Sequence, residues 1–284
     1  MKVVLIPVSD RPECALALKQ GFALAKEVGA SIIGYHMRPH SYSAVKLPTS
    51  LVAIDDDVSW EQALSVKSNE NSHIAARLLF EKIANQFNYD LVKKPNGSAA
   101  AMWIEKVGSP RYLFSITGPV SDLIIVSRPA SNNAAIAKSI MLNAVMHSST
   151  PVLVLPQTAV SSIGKRICIA WNQSTEAALA VKAAMPLLQQ AEQVSIVTCG
   201  AENLLGPKSR HLIKYLASSN IKAEHIAMQQ TDAATAILAG YQQTDSDLLL
   251  MGGYSRSRMR QIIFGGVSEY MLNEADIPVM ILHT

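Results

Sequence analysis

The sequence has few cysteines, and their arrangement argues against a disulfide framework. The three cysteines are odd in number, lie far apart and form no CxxC pair, so we expect reduced, buried thiols. Histidines are also sparse. Only His36 and His40 stand four residues apart, and Pro39 between them argues against a helix that would place both on one face. We therefore expect no metal site.

The sequence also has little charge and no long apolar run free of polar residues. A formal net charge of +3 at pH 7, without a dense run of lysine and arginine, argues against a nucleic-acid partner. The longest uncharged stretch, between Lys138 and Lys165, contains prolines and polar residues that disfavour a membrane span. The apolar run at residues 1–8 is too short for a signal peptide. We expect an ordered, cytoplasmic protein without a membrane partner.

Apolar runs of strand length alternate with helical periodicity along the chain. The predicted strands are residues 2–8, 31–35, 100–107 (with 89–93 as the alternative), 122–127, 151–155, 167–172, 194–198, 221–228, 247–251 and 278–282. The predicted helices are residues 12–28, 72–86, 110–118, 134–147, 175–190, 208–219 and 233–242, with one more after residue 266. Between the second strand and second helix, residues 38–71 include a long irregular excursion with the acidic run 55–57, whose role the sequence leaves open.

The second half of the chain repeats the first. Residues 151–155 and 278–282 share the pattern Pro-Val-x-x-Leu, and residues 122–126 and 247–251 both begin Asp-Leu. This repeat of alternating strands and helices predicts an α/β fold with two tandem, doubly wound, parallel five-stranded sheets flanked by helices. We place the domains at residues 1–156 and 165–284.

The segment that follows the strand at 247–251 combines glycines and cations. Its glycines are Gly252, Gly253, Gly265 and Gly266, and its arginines are Arg256, Arg258 and Arg260. Glycine lets the backbone approach a ligand closely, and the first amides of the next helix would face this loop with the positive end of the helix dipole. The pattern indicates an anion-binding loop, although a plain strand-to-helix turn has the same features.

A second loop is expected to face the glycine segment. Parallel sheets bind ligands beyond the carboxyl ends of strands, at the point where the strand order reverses. If the first and fourth strands of the second copy flank that point, the loop Asn172, Gln173 and Ser174 meets the glycines. No nucleophile with a nearby base can be assembled from the sequence, so an enzyme is the less favoured interpretation and a slow ATPase stays open.

Over essentially the whole chain these residues resemble the universal stress protein family in its tandem two-domain form. The family carries Gly-x2-Gly-x9-Gly-Ser/Thr after the fourth strand and an aspartate near the adenine after the first. Gly252 and Gly265 match at the right spacing. Ser255 replaces the second glycine, Gly266 replaces the hydroxyl residue and Asn172 replaces the aspartate.

The resemblance implies a stress-response protein whose C-terminal domain binds ATP or another adenine nucleotide, with or without magnesium. The implied cofactor-binding residues are Asn172, Gly252, Gly253, Ser255, Arg256, Arg258, Gly265, Gly266 and Ser268. The glycines would contact ribose and phosphates, the arginines would offset phosphate charge and Asn172 would meet the base. The alternative is an interaction protein that keeps the fold without nucleotide and binds a protein partner.

The first copy departs further from the family pattern. Ser9 takes the aspartate position, and residues 127–133 contain no glycine. Pro129 also removes an amide from the loop that would hold phosphate. Gly108-Ser109-Pro110 still looks like the Gly-x-Pro turn of the family. We expect no nucleotide there, and pairing of the closing strands 151–155 and 278–282 inside one chain; a homodimer stays open.

Overall fold

The computed structural model describes residues 1–38, 70–95, 97–129, 135–229, 232–253 and 266–283. The chain divides into two compact units, Met1–Thr150 and Pro151–Thr284. Nearly all of the predicted excursion at 38–71 lies outside the described residues. The domain limits at 1–156 and 165–284 stay a prediction.

The first unit has an open parallel sheet with helices between its strands. Its elements are β1 (Val3–Pro7), α1 (Pro12–Val28), β2 (Ser31–Arg38), α2 (Glu70–Gln86), β3 (Ala101–Val107), α3 (Pro110–Thr117), a 3-10 turn (Gly118–Val120), β4 (Leu123–Ser127) and α4 (Ala135–His147). The strand order is β3-β2-β1-β4, and all neighbours are parallel. The third strand is therefore the one predicted at 100–107, whereas Leu91 forms only an isolated bridge with Ala101.

The second unit repeats this arrangement. Its elements are β5 (Val152–Leu155), β6 (Arg166–Ala170), α5 (Thr175–Ala183), α6 (Met185–Leu188), β7 (Gln193–Cys199), α7 (Ser209–Ala217), β8 (Ala223–Met228), α8 (Ala233–Gln243), β9 (Leu248–Gly252), α9 (Gly266–Asn273) and β10 (Val279–Leu282). The order is β5-β10-β9-β6-β7-β8. Neighbours are parallel except β5 and β10, which pair antiparallel.

The central strands form the core of each unit because their apolar side chains are buried on both faces. In β9, Leu248, Leu249 and Leu250 are at most 1% exposed. Complete burial of such a side chain contributes roughly 1.5–3 kcal/mol. The α/β fold class predicted from the alternating pattern is confirmed. Among the described helices, none combines the length and the apolar composition that crossing a bilayer requires.

One predicted helix, residues 175–190, is divided in two. Helix α5 ends at Ala183, and the short helix α6 begins at Met185. Pro186 lies in the first turn of α6. Proline has no amide to donate to the preceding turn and its ring crowds that turn, so the helix breaks just before it.

None of the three cysteines forms a disulfide, and they differ in burial. Cys168 is buried in β6, and burial also raises the pKa of the Cys14 thiol although that residue as a whole is half-buried. The expectation of a buried thiol was therefore wrong only for Cys199, which is half-buried. Burial raises the pKa of the Cys168 thiol to about 12, which keeps it protonated at neutral pH.

Candidate functional site

A cavity of about 640 Å³ opens in the second unit, where strands β6, β7 and β9 end. Strand β6 lies between β9 and β7, so the strand order reverses beside it. The loop after β6 and the end of β9 both line the cavity. This is the position at which open α/β sheets bind ligands.

The cavity brings together every predicted site residue that the structure describes. Asn172, Gly252, Gly253, Gly266 and Ser268 all line it. The remaining predicted site residues, Ser255, Arg256, Arg258 and Gly265, lie outside the described residues. Whether any of these residues contacts a ligand stays a prediction.

The loop after β6 is held by its own side chains. Asn172 Oδ1 accepts a hydrogen bond from the Ser174 amide at 3.2 Å, and Ser174 Oγ accepts one from the Ala177 amide at 3.1 Å, which caps helix α5. Gln173 is buried and has a positive φ of 63°. Its conformation is unusual for a side chain of this size, so tertiary contacts must stabilise it.

Those contacts come from residues 200–208, which we call the wall loop because it forms one side of the cavity. The Gln173 amide group donates to the Leu204 carbonyl at 3.0 Å and accepts from the Leu204 amide at 3.2 Å. Trp171 Nε1 donates to the Pro207 carbonyl at 2.8 Å. The two loops therefore form one connected wall.

The sequence interpretation missed the wall loop as part of the site. Glu202 anchors its far end, because the carboxylate accepts from Ser209 Oγ at 2.9 Å at the start of helix α7. Leu204 and Leu205 line the cavity, yet they are 66% and 106% exposed. The sequence did contain one signal for this loop, a pair of leucines inside a non-periodic segment between a strand and a helix, which can indicate a binding surface.

The glycines at the end of β9 serve close packing. A Cβ at Gly252 would collide with the Ala177 amide nitrogen and would lie 2.8 Å from the Glu176 carbonyl carbon. A Cβ at Gly253 would lie 3.0 Å from the Leu282 carbonyl oxygen. Only glycine lets β9 approach helix α5 this closely, so Gly252 has a structural role whatever the cavity binds.

Gly266 differs, because a Cβ there would meet no atom of the described residues within 4 Å. It begins helix α9, and Ser268 follows in the first turn with 9% exposure. The first amides of a helix have no intrahelical acceptor, so this end of the cavity suits an anion.

The described lining is mostly apolar and nearly uncharged. Its only charged side chain is Glu202, and it contains no lysine or arginine. The Thr198 hydroxyl lies 2.9 Å from His225 Nε2 on the neighbouring strand. The described residues therefore offer apolar walls, neutral polar groups and helix amides.

The corresponding residues of the first unit are engaged in local contacts. Ser9 Oγ lies 3.2 Å from Cys14 Sγ, Ser127 Oγ donates to the Glu13 carbonyl at 2.7 Å, and Ser109 Oγ caps helix α3. These contacts agree with the expectation that this unit holds no nucleotide, which stays an expectation.

A histidine pair in the first unit was missed by the sequence analysis. His36 Nδ1 donates to the Val8 carbonyl at 2.8 Å, so its Nε2 accepts from His73 Nδ1 at 2.7 Å. The ring of His36 also stacks on the ring of Trp103, with the two ring centroids 5.7 Å apart. The sequence interpretation had considered only His36 with His40, which lies outside the described residues.

Residues 172–283 match the model of the Universal stress protein family, and they form a domain of that family. The match covers the loop after β6, helix α9 and the strands between them. No curated protein matches the chain.

Solved structures extend the fold likeness to the full length. A universal stress protein from Archaeoglobus fulgidus DSM 4304 is 18% identical with a TM-score of 0.68, and the match covers 99% of this chain and 97% of that one. A Pseudomonas aeruginosa UCBPP-PA14 structure assigned to the same family is 14% identical with a TM-score of 0.57, covering 99% and 93%. At these identities the likeness shows the fold alone.

Proposed function

We propose that the protein is a universal stress protein-like regulator whose second unit binds an adenine nucleotide in the cavity. The observation that carries the proposal is the convergence of Asn172, Gly252, Gly253, Gly266 and Ser268 on one cavity at the strand-order reversal. The first unit, in this proposal, keeps the fold without a nucleotide. We also propose a cytoplasmic location.

The size and lining of the cavity support a ligand with a planar base. Small-molecule sites in proteins typically enclose roughly 300–1,000 Å³, and the cavity volume of about 640 Å³ lies within that range. Val197, Ala201, Leu204 and Ile237 supply apolar wall surface. Such a wall favours stacking of a base over binding of a free phosphate.

The start of helix α9 supports the anionic part of the ligand. Its first amides lie at Gly266 and Val267, both of which line the cavity. The predicted roles of Arg256 and Arg258, which would offset phosphate charge, belong to this proposal because no lysine or arginine is present in the described lining.

Calorimetric titration of ATP, ADP and AMP with magnesium tests the proposal, after mass spectrometry has shown that the purified protein carries no nucleotide. Gly266→Asp is the diagnostic variant, because a Cβ at this position would meet no described atom within 4 Å and the carboxylate would place a negative charge where the ligand is expected to be anionic. We expect it to weaken ATP binding by at least about tenfold. Gly252→Asp is unsuitable, since the collision with Ala177 would disturb the fold.

Ala217→Asp is the matched control, because Ala217 is exposed in α7 and does not line the cavity. It should bind ATP like the unchanged protein. Absence of binding at millimolar nucleotide would refute the proposal. Phosphate release no faster than in Gly266→Asp would exclude ATPase activity at this site.

A second candidate function is that of an interaction protein without nucleotide. The exposed Leu204 and Leu205 favour it, because large exposed apolar side chains side by side often mark a contact with another protein. The two candidates are separated by the same titration.

A further inference from the structure

The side-chain amide of Asn172 has a defined orientation. Its Oδ1 accepts from the Ser174 amide, a group that can only donate, so the oxygen and nitrogen positions follow from the hydrogen bond. The residue is exposed and lines the cavity. Its Nδ2 group is therefore a donor that is available to a ligand.

Asn172 lies beside the wall loop, which contributes Ala201, Leu204 and Leu205 to the apolar lining of the cavity. Its neighbours Trp171 and Gln173 both bond the wall loop, at Pro207 and Leu204. The anion-binding amides belong to a different element, helix α9. A ligand with a base and a phosphate chain would accordingly place its base beside Asn172.

Other polar side chains at this end already have partners. The Gln173 amide is bonded on both sides to Leu204, the Glu202 carboxylate is bonded to Ser209 and the Thr198 hydroxyl is bonded to His225. These groups would have to give up a protein contact to select a base. The Asn172 amide would not.

We infer that Asn172 relaxes the base selectivity of the proposed site, so that 6-oxopurine nucleotides bind alongside adenine nucleotides. An N–H donor pairs with the O6 or N7 acceptor of guanine and hypoxanthine, or with a ring nitrogen of adenine, but not with the 6-amino group of adenine. An aspartate in the same geometry would keep one oxygen on the Ser174 amide and present the other as an acceptor. It would then select the 6-amino group. This inference rests on the proposed function.

The test is the ratio of GTP to ATP dissociation constants, measured by calorimetry on the full chain and on Asn172→Asp. In the unchanged protein we expect the two dissociation constants to lie within about threefold of each other. In Asn172→Asp we expect the ratio of GTP to ATP dissociation constants to rise by about five- to tenfold, because the variant gains roughly one hydrogen bond that only adenine can make. Repulsion of the triphosphate by the new carboxylate affects both nucleotides equally and cancels in the ratio.

Asn203→Asp is the matched control, since it adds the same charge on the wall loop at a residue that does not line the cavity. Its ratio should equal that of the unchanged protein. Thermal unfolding of all three proteins shows whether the fold is kept. Two results would overturn the inference and leave the proposed function standing. One is that both nucleotides bind but Asn172→Asp does not change the ratio of the GTP and ATP dissociation constants. The other is that the unchanged protein prefers ATP by more than about thirtyfold. Absence of binding by either nucleotide overturns both.

Discussion

Two aspartates at equivalent positions of the two copies hold the start of a strand in place. The Asp122 carboxylate accepts from the amides of Lys2 and Val3, at the start of β1. Asp247 accepts from the Gly164 amide at 2.9 Å and the Arg166 amide at 3.0 Å, at the start of β6. Hydrogen bonds to a charged acceptor are the stronger ones, which explains why aspartate begins both of the repeated segments recognised in the sequence.

At the same scale, the His36–His73 pair predicts a pH dependence. Burial, the neighbouring His36 and the Arg38 charge hold the pKa of His73 below its ordinary value of 6.5. The unfolded chain therefore binds a proton at His73 before the folded chain does, so acidification below about pH 6.5 favours unfolding. The stability that His73 contributes is present above its unfolded pKa and falls as the pH drops toward its folded pKa.

Urea unfolding at pH 7.5 and 5.5 checks this prediction, with His73→Gln as the variant. Glutamine does not titrate, so the variant should lose less stability between the two pH values than the unchanged protein. Equal losses would show that other groups dominate the acid response of the first unit.

At the scale of elements, one side chain holds the middle of the wall loop. Gln173 supplies both of the hydrogen bonds that hold Leu204. In Gln173→Asn the new residue tolerates a positive φ, but its side chain is one methylene too short to reach Leu204. Loss of the two neutral hydrogen bonds should lower the local free energy of unfolding of the wall loop by about 2 kcal/mol. We expect the Leu204 amide to exchange with solvent at least about tenfold faster by hydrogen-exchange mass spectrometry.

The matched control is Gln242→Asn, an exposed position in α8. It should leave exchange in residues 200–208 unaltered. Protection of Leu204 that survives Gln173→Asn would mean that the Trp171 and Glu202 contacts suffice to hold the loop.

The strands and the position of the candidate cavity could be predicted from the sequence, whereas the wall loop that lines it could not. Apolar runs such as residues 248–251 identify a buried strand because burial on both faces demands apolar residues throughout. Glycine at 252 predicted a close approach of the backbone to a ligand, whereas the structure shows that it packs closely against helix α5. The Gln173–Leu204 contact joins two loops far apart in sequence through unremarkable residues, so only the assembled fold reveals it. The same holds for His73, which follows the long excursion.

At the scale of the whole molecule, the last strand of each copy pairs with the other. Strand β5 ends the first copy in sequence, yet it belongs to the second compact unit through β10. Leu153 lies opposite Met280, and Val152 lies opposite Ile281. This pairing within one chain covers an edge of β10 that would otherwise be open to another molecule.

Disulfide trapping tests whether this pairing is intramolecular in solution. In a chain whose three native cysteines are replaced by serine or alanine, Leu153→Cys with Met280→Cys places two thiols directly opposite on one face of an antiparallel pair. We expect oxidation to give a monomeric, faster-migrating band on a non-reducing gel.

Leu153→Cys with Ile281→Cys is the control, because a shift of one residue sends the second side chain to the other face of the sheet. It should cross-link at least about tenfold more slowly. Covalent dimers from the first pair would instead show that β5 of one chain pairs with β10 of another, which would make the exchange of closing strands the basis of a homodimer.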